Sequence, residues 1–456
     1  MSTAEILAQT SPPSAPLPDE DAIGRRALRK VSLRLLPLIA IGYGIAYMDR
    51  INVSFAALQM NHALHFSASA YGLGAGLFFL SYGAFEIPSN LLLVRFGARR
   101  WLSRIMFTWG LLSIAMMFVR TPWQFYLARL ALGAAEAGFF PGIIFYLTLW
   151  FPAAKRSLAI SRFYIALPLS TVVMGALAGM LLNLNGRLGL AGWQWLFLME
   201  GLPAILMSAI FFFCLPDSPL KATWLSEGER TAILRPLQSE AAEPVAVHNF
   251  RAVTKVLKEP KVWMLALYLF CAHSCNYGYS FVAPVVIQKV TNFSVTTVGL
   301  IVAFFGILGT VTMLFNGWHS DRYRERHIHI LVPTLLMTVA FLCLGLWPVT
   351  SIVLPAFALA QIGACANQPP TWTLTTTLFR GKSCAVAIAA INSFAMTGGF
   401  VGPWWIGRAH DITGNYQLGL LTLVVPTLVA SAIILVARRY SKAEIAHRQL
   451  AISEAS

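Results

Sequence analysis

Twelve blocks of about 18 or more predominantly apolar residues follow one another along this chain, near 31–58, 70–94, 102–120, 122–147, 158–183, 194–215, 262–288, 296–317, 328–348, 351–376, 385–407 and 414–437. Each is long enough to cross a bilayer as a helix. In hydrocarbon a segment must satisfy its own backbone polar groups, so blocks of this length fold as helices packed on one another. Composition agrees: 57% of the 456 residues are apolar, only 12% are charged, and the mean hydropathy is +0.65. The expected fold is an all-α membrane protein with twelve transmembrane helices.

The first 24 residues are polar, proline-rich and acidic at "PDED", without a basic start and an apolar core. They read as a disordered tail and not as a cleaved signal peptide. Residues 216–261 form the one long polar interruption. In it Ser226 and Glu229 have capping-box spacing, which predicts a short amphipathic surface helix. The expected organisation is therefore a tail over 1–30, a six-helix bundle over 31–215, a linker over 216–261, a second six-helix bundle over 262–438 and a tail over 439–456.

A net charge of +15 could point to nucleic acid, but the distribution of the cations argues against it. In the twelve-span arrangement 28 of the 34 Lys and Arg fall in tails, loops or span ends on one side, four on the other, and Arg50 and Arg129 in mid-span. By the positive-inside rule both termini are expected in the cytoplasm, with lipid and not nucleic acid as the partner.

The halves echo each other. "VRFGARR" follows span 2 and "SDRYRER" follows span 8, with Arg95 and Arg322 separated by 227 residues, and "AKR" after span 4 has a counterpart in "RGK" after span 10. A repeat of six spans is the mark of a transporter built from two related bundles around a central site. Its short basic loops then serve as matched hinges or gates. The six cysteines lie in or beside spans. Cys271 and Cys275, one turn apart without further ligands, read as small apolar side chains, so neither a disulfide nor a metal site is expected.

The charges inside the spans carry the functional signal. An ionisable side chain at mid-membrane costs at least ~2.5 kcal/mol and marks function by default. In "YGIAYMDRINVSF" Tyr43, Tyr47, Arg50 and Ser54 share one helix face, while Asp49 points roughly 100° away. A guanidinium between two tyrosines suits an organic carboxylate, gripped through parallel N–H donors. The competing reading is a structural ion pair of Arg50 with an acid on another span. In "ARLALGAAEAGFFPG" Arg129 and Glu136 lie two turns apart on one face, about 10 Å along the axis and too far to pair well. The glycines and alanines around them form a surface for close helix packing. A buried acid can take up a proton outside and release it inside, which makes Asp49 and Glu136 candidates for proton coupling. Glu136 can instead be a permanently ionised partner of Arg129 or Arg50.

Polar residues in the other spans are the second tier: Tyr82, Tyr277, Ser280, Asn367, Gln368 and Asn392, each of which can also be a helix-to-helix hydrogen bond. His273 reads as structural and not as a proton relay. Glu86 and Glu200 are expected near span ends, bracing loops.

The motifs "MDRINVSFAAL", "EIPSNLLLVRFGARRW", "RLALGAAEAGFFPG", "GWQWLFLMEGLPA", "GWHSDRYRER" and "INSFAMTGGFVGP" resemble the anion:cation symporter family of the major facilitator superfamily, from about residue 30 to 440. They are most similar to bacterial carriers of tartrate, phthalate, hydroxyphenylacetate and sugar acids. The resemblance implies proton coupling for Asp49 and Glu136, substrate binding and gating for Arg50 and Arg129, and ligand-facing positions for Tyr47, Tyr82 and Asn392. It also implies a gating charge relay in the loops with Arg95, Arg99, Arg100, Asp321 and Arg322. The N-half copy departs from the superfamily pattern, having Val94 where an aspartate is usual.

No HExxH set, nucleophile–base pair or catalytic aspartate pair is present, which argues against an enzyme. The internal repeat argues against an oligomeric channel. The function expected is import of an organic carboxylate anion by proton symport with alternating access, by a monomer without cofactor or metal. The alternative is a proton-independent organic anion exchanger or exporter of the same fold.

Overall fold

The computed structural model describes residues 18–241, 257–378 and 382–454, and all its regular structure there is helical. Residues 1–17, part of the linker, and Arg380 of the expected basic loop lie outside the described residues. In chain order the helices are α1 (Pro18–Ala63), α2 (Ala68–Phe96), α3 (Ala98–Ala115), α4 (Pro122–Glu136), α5 (Phe139–Thr148), α6 (Ala153–Tyr164), α7 (Ala166–Leu182) and α8 (Gly192–Cys214). The linker helix is α9 (Glu227–Ala241). The second half holds α10 (Pro260–Thr291), α11 (Val295–Tyr323), α12 (His327–Leu346), α13 (Thr350–Ala366), α14 (Gln368–Leu378), α15 (Lys382–Thr413), α16 (Gln417–Thr422) and α17 (Val424–Glu454).

Among the described residues ten spans are long and apolar enough to cross a membrane. The two expected spans outside that set are α10 and α15. Each has 32 residues, about 48 Å of helix and ample for a ~30 Å core. Both contribute polar residues to the centre of the molecule, such as His273, Asn276 and Ser280 on α10 and Asn392 on α15. Their lower hydropathy follows from what they line.

The first helix starts at Pro18, so it takes in residues 18–24 of the stretch expected as a disordered tail. Span 4 is broken: α4 ends at Glu136, Gly138 has φ +83°, and α5 starts at Phe139. Only glycine takes that backbone angle without strain, and an added Cβ at Gly138 would also lie 2.4 Å from the Ser89 hydroxyl.

Packing between spans depends on backbone-to-backbone approach. A Cβ at Gly133 would fall 2.2 Å from the Phe78 carbonyl oxygen, so the small-residue face of span 4 packs on α2. The two bundles meet along α2 and α15 and along α7 and α11. Cβ atoms at Gly72, Gly175 and Gly299 would meet the carbonyl oxygens of Pro403, Gly299 and Gly175 at 2.3, 2.6 and 2.3 Å. At the end of the bundle away from the termini, the Asp411 carboxylate accepts the backbone N–H groups of Ala68 and Ser69, each at 3.1 Å. Asn183 donates to Thr296 at 2.7 Å across the same face.

On the terminus face the Ser226–Glu229 capping box is present, with N···O distances of 3.0 and 3.3 Å. Glu229 also takes the Lys30 ammonium at 2.8 Å, which docks the linker on α1 and holds the Glu229 carboxyl below its usual range.

A prediction arises from the α10–α15 contact, where a Cβ at Gly402 would fall 2.0 Å from the Ser274 carbonyl oxygen. Gly402→Ala overpacks this backbone contact by about 1–3 kcal/mol and lowers the melting temperature in detergent. Gly24→Ala, in open space with its nearest atom at 4.0 Å, is neutral or slightly stabilising. Equal melting temperatures for the two variants would contradict the packing.

Candidate functional site

A cavity of about 1240 Å³, open mouth included, lies between the bundles. Helix α1 turns Tyr43, Tyr47, Arg50 and Ser54 into it, on the face expected from their spacing. Asp49 faces the opposite way, into the first bundle, where it takes the Ser113 hydroxyl and, at 3.2 Å, the Asn52 amide. Arg50 and Asp49 are neighbours in sequence but not partners.

Arg50 is held from below by Glu136. Its Nε and Nη2 donate to Glu136 Oε1 at 2.8 and 2.5 Å, and Glu136 is fully buried. The break after α4 places Glu136 at the last turn of a helix and directly ahead of the start of the next, so its carboxylate can reach across to α1. The rings of Tyr82 and Phe78 flank the guanidinium, with centroids 4.7 and 5.7 Å from its carbon. The opposite wall comes from the second bundle: Tyr277, Ser280, His273 and Asn276 on α10, Gln361 on α13, Gln368 and Trp372 on α14, and Asn392 on α15.

Several expectations are altered by these positions. Arg129 does not reach the cavity: it is fully buried, donates through Nη2 to the Ala75 carbonyl at 3.3 Å and sits 4.8 Å from the Phe78 centroid. That one N–H group reaches α2 because α4 turns this face into the bundle, while Nε and Nη1 have no hydrogen-bond partner among the described residues. Asn367 borders a small adjoining cleft with Gln368 and His273, off the main cavity. Glu86 is not a loop brace. It is buried and accepts the Asn392 amide at 3.0 and 3.1 Å, a hydrogen bond between the two bundles. Glu200 is also deep in its helix, 4% exposed, and among the described residues neither carboxyl oxygen has a hydrogen-bond partner.

In the gating loops Asp321 pairs with Arg326 at 2.6 Å instead of Arg322. The helix ends at Arg324 in the left-handed region and reverses the chain, which brings Arg326 back over Asp321. Arg95 covers the Phe96 ring at 5.6 Å, and Arg100 is exposed. Asp217, after span 6, accepts the Arg99 backbone N–H at 3.1 Å and the Lys221 ammonium at 3.2 Å. A carboxylate therefore caps the start of α3, although Val94 supplies none. Its distance of 118 residues from Arg99 hid it in the sequence.

His273, Asn276, Tyr164, Gln361 and Trp372 line the cavity as well, and none of them was a candidate for binding. The signal available was the helical spacing of His273, Asn276, Tyr277 and Ser280, which sets a polar face on α10.

The comparisons with known proteins agree with this architecture. The profile of the Major Facilitator Superfamily matches residues 39–403. A protein of Agrobacterium vitis called a putative tartrate transporter is 43% identical over 411 residues, which cover 90% of this chain and 94% of that one. The putative metabolite transport protein NicT of Pseudomonas putida is 40% identical over 403 residues, covering 87% of this chain and 91% of its own. Among solved structures, a bacterial homologue of the human lysosomal transporter Spinster, in an inward-facing and unoccupied conformation, matches with a TM-score of 0.73 at 18% identity. That match covers 93% of this chain and 98% of the other, and shares the fold. The chain is a multi-pass membrane transporter and belongs to the Major Facilitator Superfamily.

Proposed function

We propose that this transporter carries an organic carboxylate anion together with protons, importing it by alternating access as a monomer in the bacterial inner membrane with both termini in the cytoplasm. The observation that carries the reading is the ion pair between Arg50, which lines the cavity, and Glu136, buried behind it. One guanidinium faces two claimants there. While Glu136 is ionised it occupies Arg50 through both donors; once it takes a proton, Arg50 is free to grip a substrate carboxylate through two parallel N–H groups. Anion binding and proton binding then favour each other, which is thermodynamic coupling between two sites. Asp49, on the same helix one residue away, is the second acid of the unit.

The names of the two relatives, a tartrate and a metabolite transporter, support an organic anion as cargo. The excess of cations in the loops on the terminus side supports the orientation. The contacts of Asp411 and Asn183 at the far face support a state closed on that side, with rocking of the bundles about α2–α15 as the motion that would open it. Arg95, Arg99, Arg100, Arg322 and the Asp321–Arg326 pair are the proposed gating elements at the terminus face.

The test is uptake of labelled tartrate, phthalate, hydroxyphenylacetate and sugar acids into vesicles reconstituted with the protein and made alkaline inside. Accumulation of at least one acid above its outside concentration, abolished by a protonophore, is expected. Uptake of none would contradict the assignment.

A further inference from the structure

Among the described residues the cavity wall holds many rings and one permanent cation. Tyr43, Tyr47, Tyr82, Tyr164, Tyr277 and Trp372 surround the space in front of Arg50, and among the described residues no lysine and no second arginine lines it. Arg50 is itself already shared with Glu136. On the second bundle the wall offers neutral hydrogen-bonding groups: Asn276, Gln368 and the Trp372 indole, whose N–H has no partner among the described residues. His273 is the one other basic side chain among the described residues of the wall. Its ring lies nearly parallel to Tyr277 at 5.6 Å, and its Nδ1 is likewise without a partner.

Two physical consequences follow. A second carboxylate on the substrate would leave water for a wall of neutral dipoles and ring faces, and an uncompensated buried charge is costly. Ring faces are also electronegative, so they accept a flat apolar body and repel an anion placed over them. A neutral amide, hydroxyl or ring nitrogen in the same place finds ready partners.

We propose that the cavity selects a monoanion. Its single carboxylate sits at Arg50, a flat apolar or aromatic body lies along the tyrosines, and a neutral hydrogen-bonding group reaches Asn276, Gln368 and Trp372. Dicarboxylates are rejected, which separates this chain from the cargo for which its relative of 43% identity is named. The inference rests on the organic-carboxylate reading above and narrows it.

Terephthalate and its monoamide test it, since they share ring and length and differ by one negative charge. Tartrate and its monoamide form the aliphatic pair. Binding of all four to the detergent-solubilised full-length protein is measured by calorimetry at neutral pH. The expected result is that the aromatic monoamide binds at least tenfold more tightly than terephthalate, and more tightly than either tartrate compound. Equal or tighter binding of terephthalate, or tartrate as the best ligand, would overturn monoanion selection and leave the carboxylate reading standing. Absence of binding by all four would overturn monoanion selection, and together with no uptake of any acid in the panel above it would remove the carboxylate reading as well.

Discussion

Arg50→Lys abolishes or greatly weakens uptake, even though the positive charge is kept. Lysine is the informative replacement because alanine would also leave Glu136 buried without its partner, a penalty of about 3–5 kcal/mol unrelated to transport. The ammonium can still neutralise Glu136 from α1. What it cannot do is present two parallel donors to a carboxylate while the rings of Tyr82 and Phe78 hold its plane. Loss of a charge-assisted hydrogen bond costs about 1.5–3 kcal/mol, roughly 10- to 150-fold in affinity. Substrate affinity measured on the purified variant checks this, and wild-type affinity would remove Arg50 from the site.

Glu136→Gln separates two activities that are joined in the wild type. Glutamine has the shape of the protonated acid, so Arg50 is always released to the substrate and the loaded carrier can still move. Counterflow of labelled against unlabelled substrate therefore survives. Accumulation driven by a pH gradient falls to background, because the variant has no proton to lose at the inner face. Asp49→Asn shows the same split if the two acids titrate as one unit, in which case neither has a private titration. Both activities are measured on the same reconstituted protein. Loss of both, with binding also gone, would make Glu136 a structural counter-ion of Arg50; retained uphill transport would exclude it from coupling.

Much of this arrangement was legible in the sequence, for a physical reason. Hydrocarbon allows few backbone solutions, so apolar blocks translate directly into helices, and helix periodicity put Tyr43, Tyr47, Arg50 and Ser54 on one face with Asp49 on another. Periodicity is silent about partners between helices. The choice of Arg50 over Arg129 as the residue that meets Glu136 depends on the break at Gly138, which redirects the chain after α4. The same limit applies to Glu86 with Asn392, 306 residues apart, and to Asp217 with Arg99. Arg129 shares a helix face with Glu136 yet meets α2 while Glu136 meets α1, because one face of a helix is wide enough to touch two neighbouring spans. His273 reads as structural when taken alone on an apolar helix; that the polar face it shares with Asn276, Tyr277 and Ser280 meets the cavity comes from how α10 packs on α15.

The coupling claim is tested most directly by following protons while substrate runs downhill. Vesicles containing the protein are prepared at equal pH on both sides, with a pH indicator in the lumen, and the acid that accumulates best in the uptake panel is added outside. Co-transport predicts lumenal acidification that starts with substrate entry, scales with it, and disappears in Glu136→Gln while exchange continues. Substrate entry at the wild-type rate with no change in lumenal pH would contradict proton symport and assign the Arg50–Glu136 pair to structure alone.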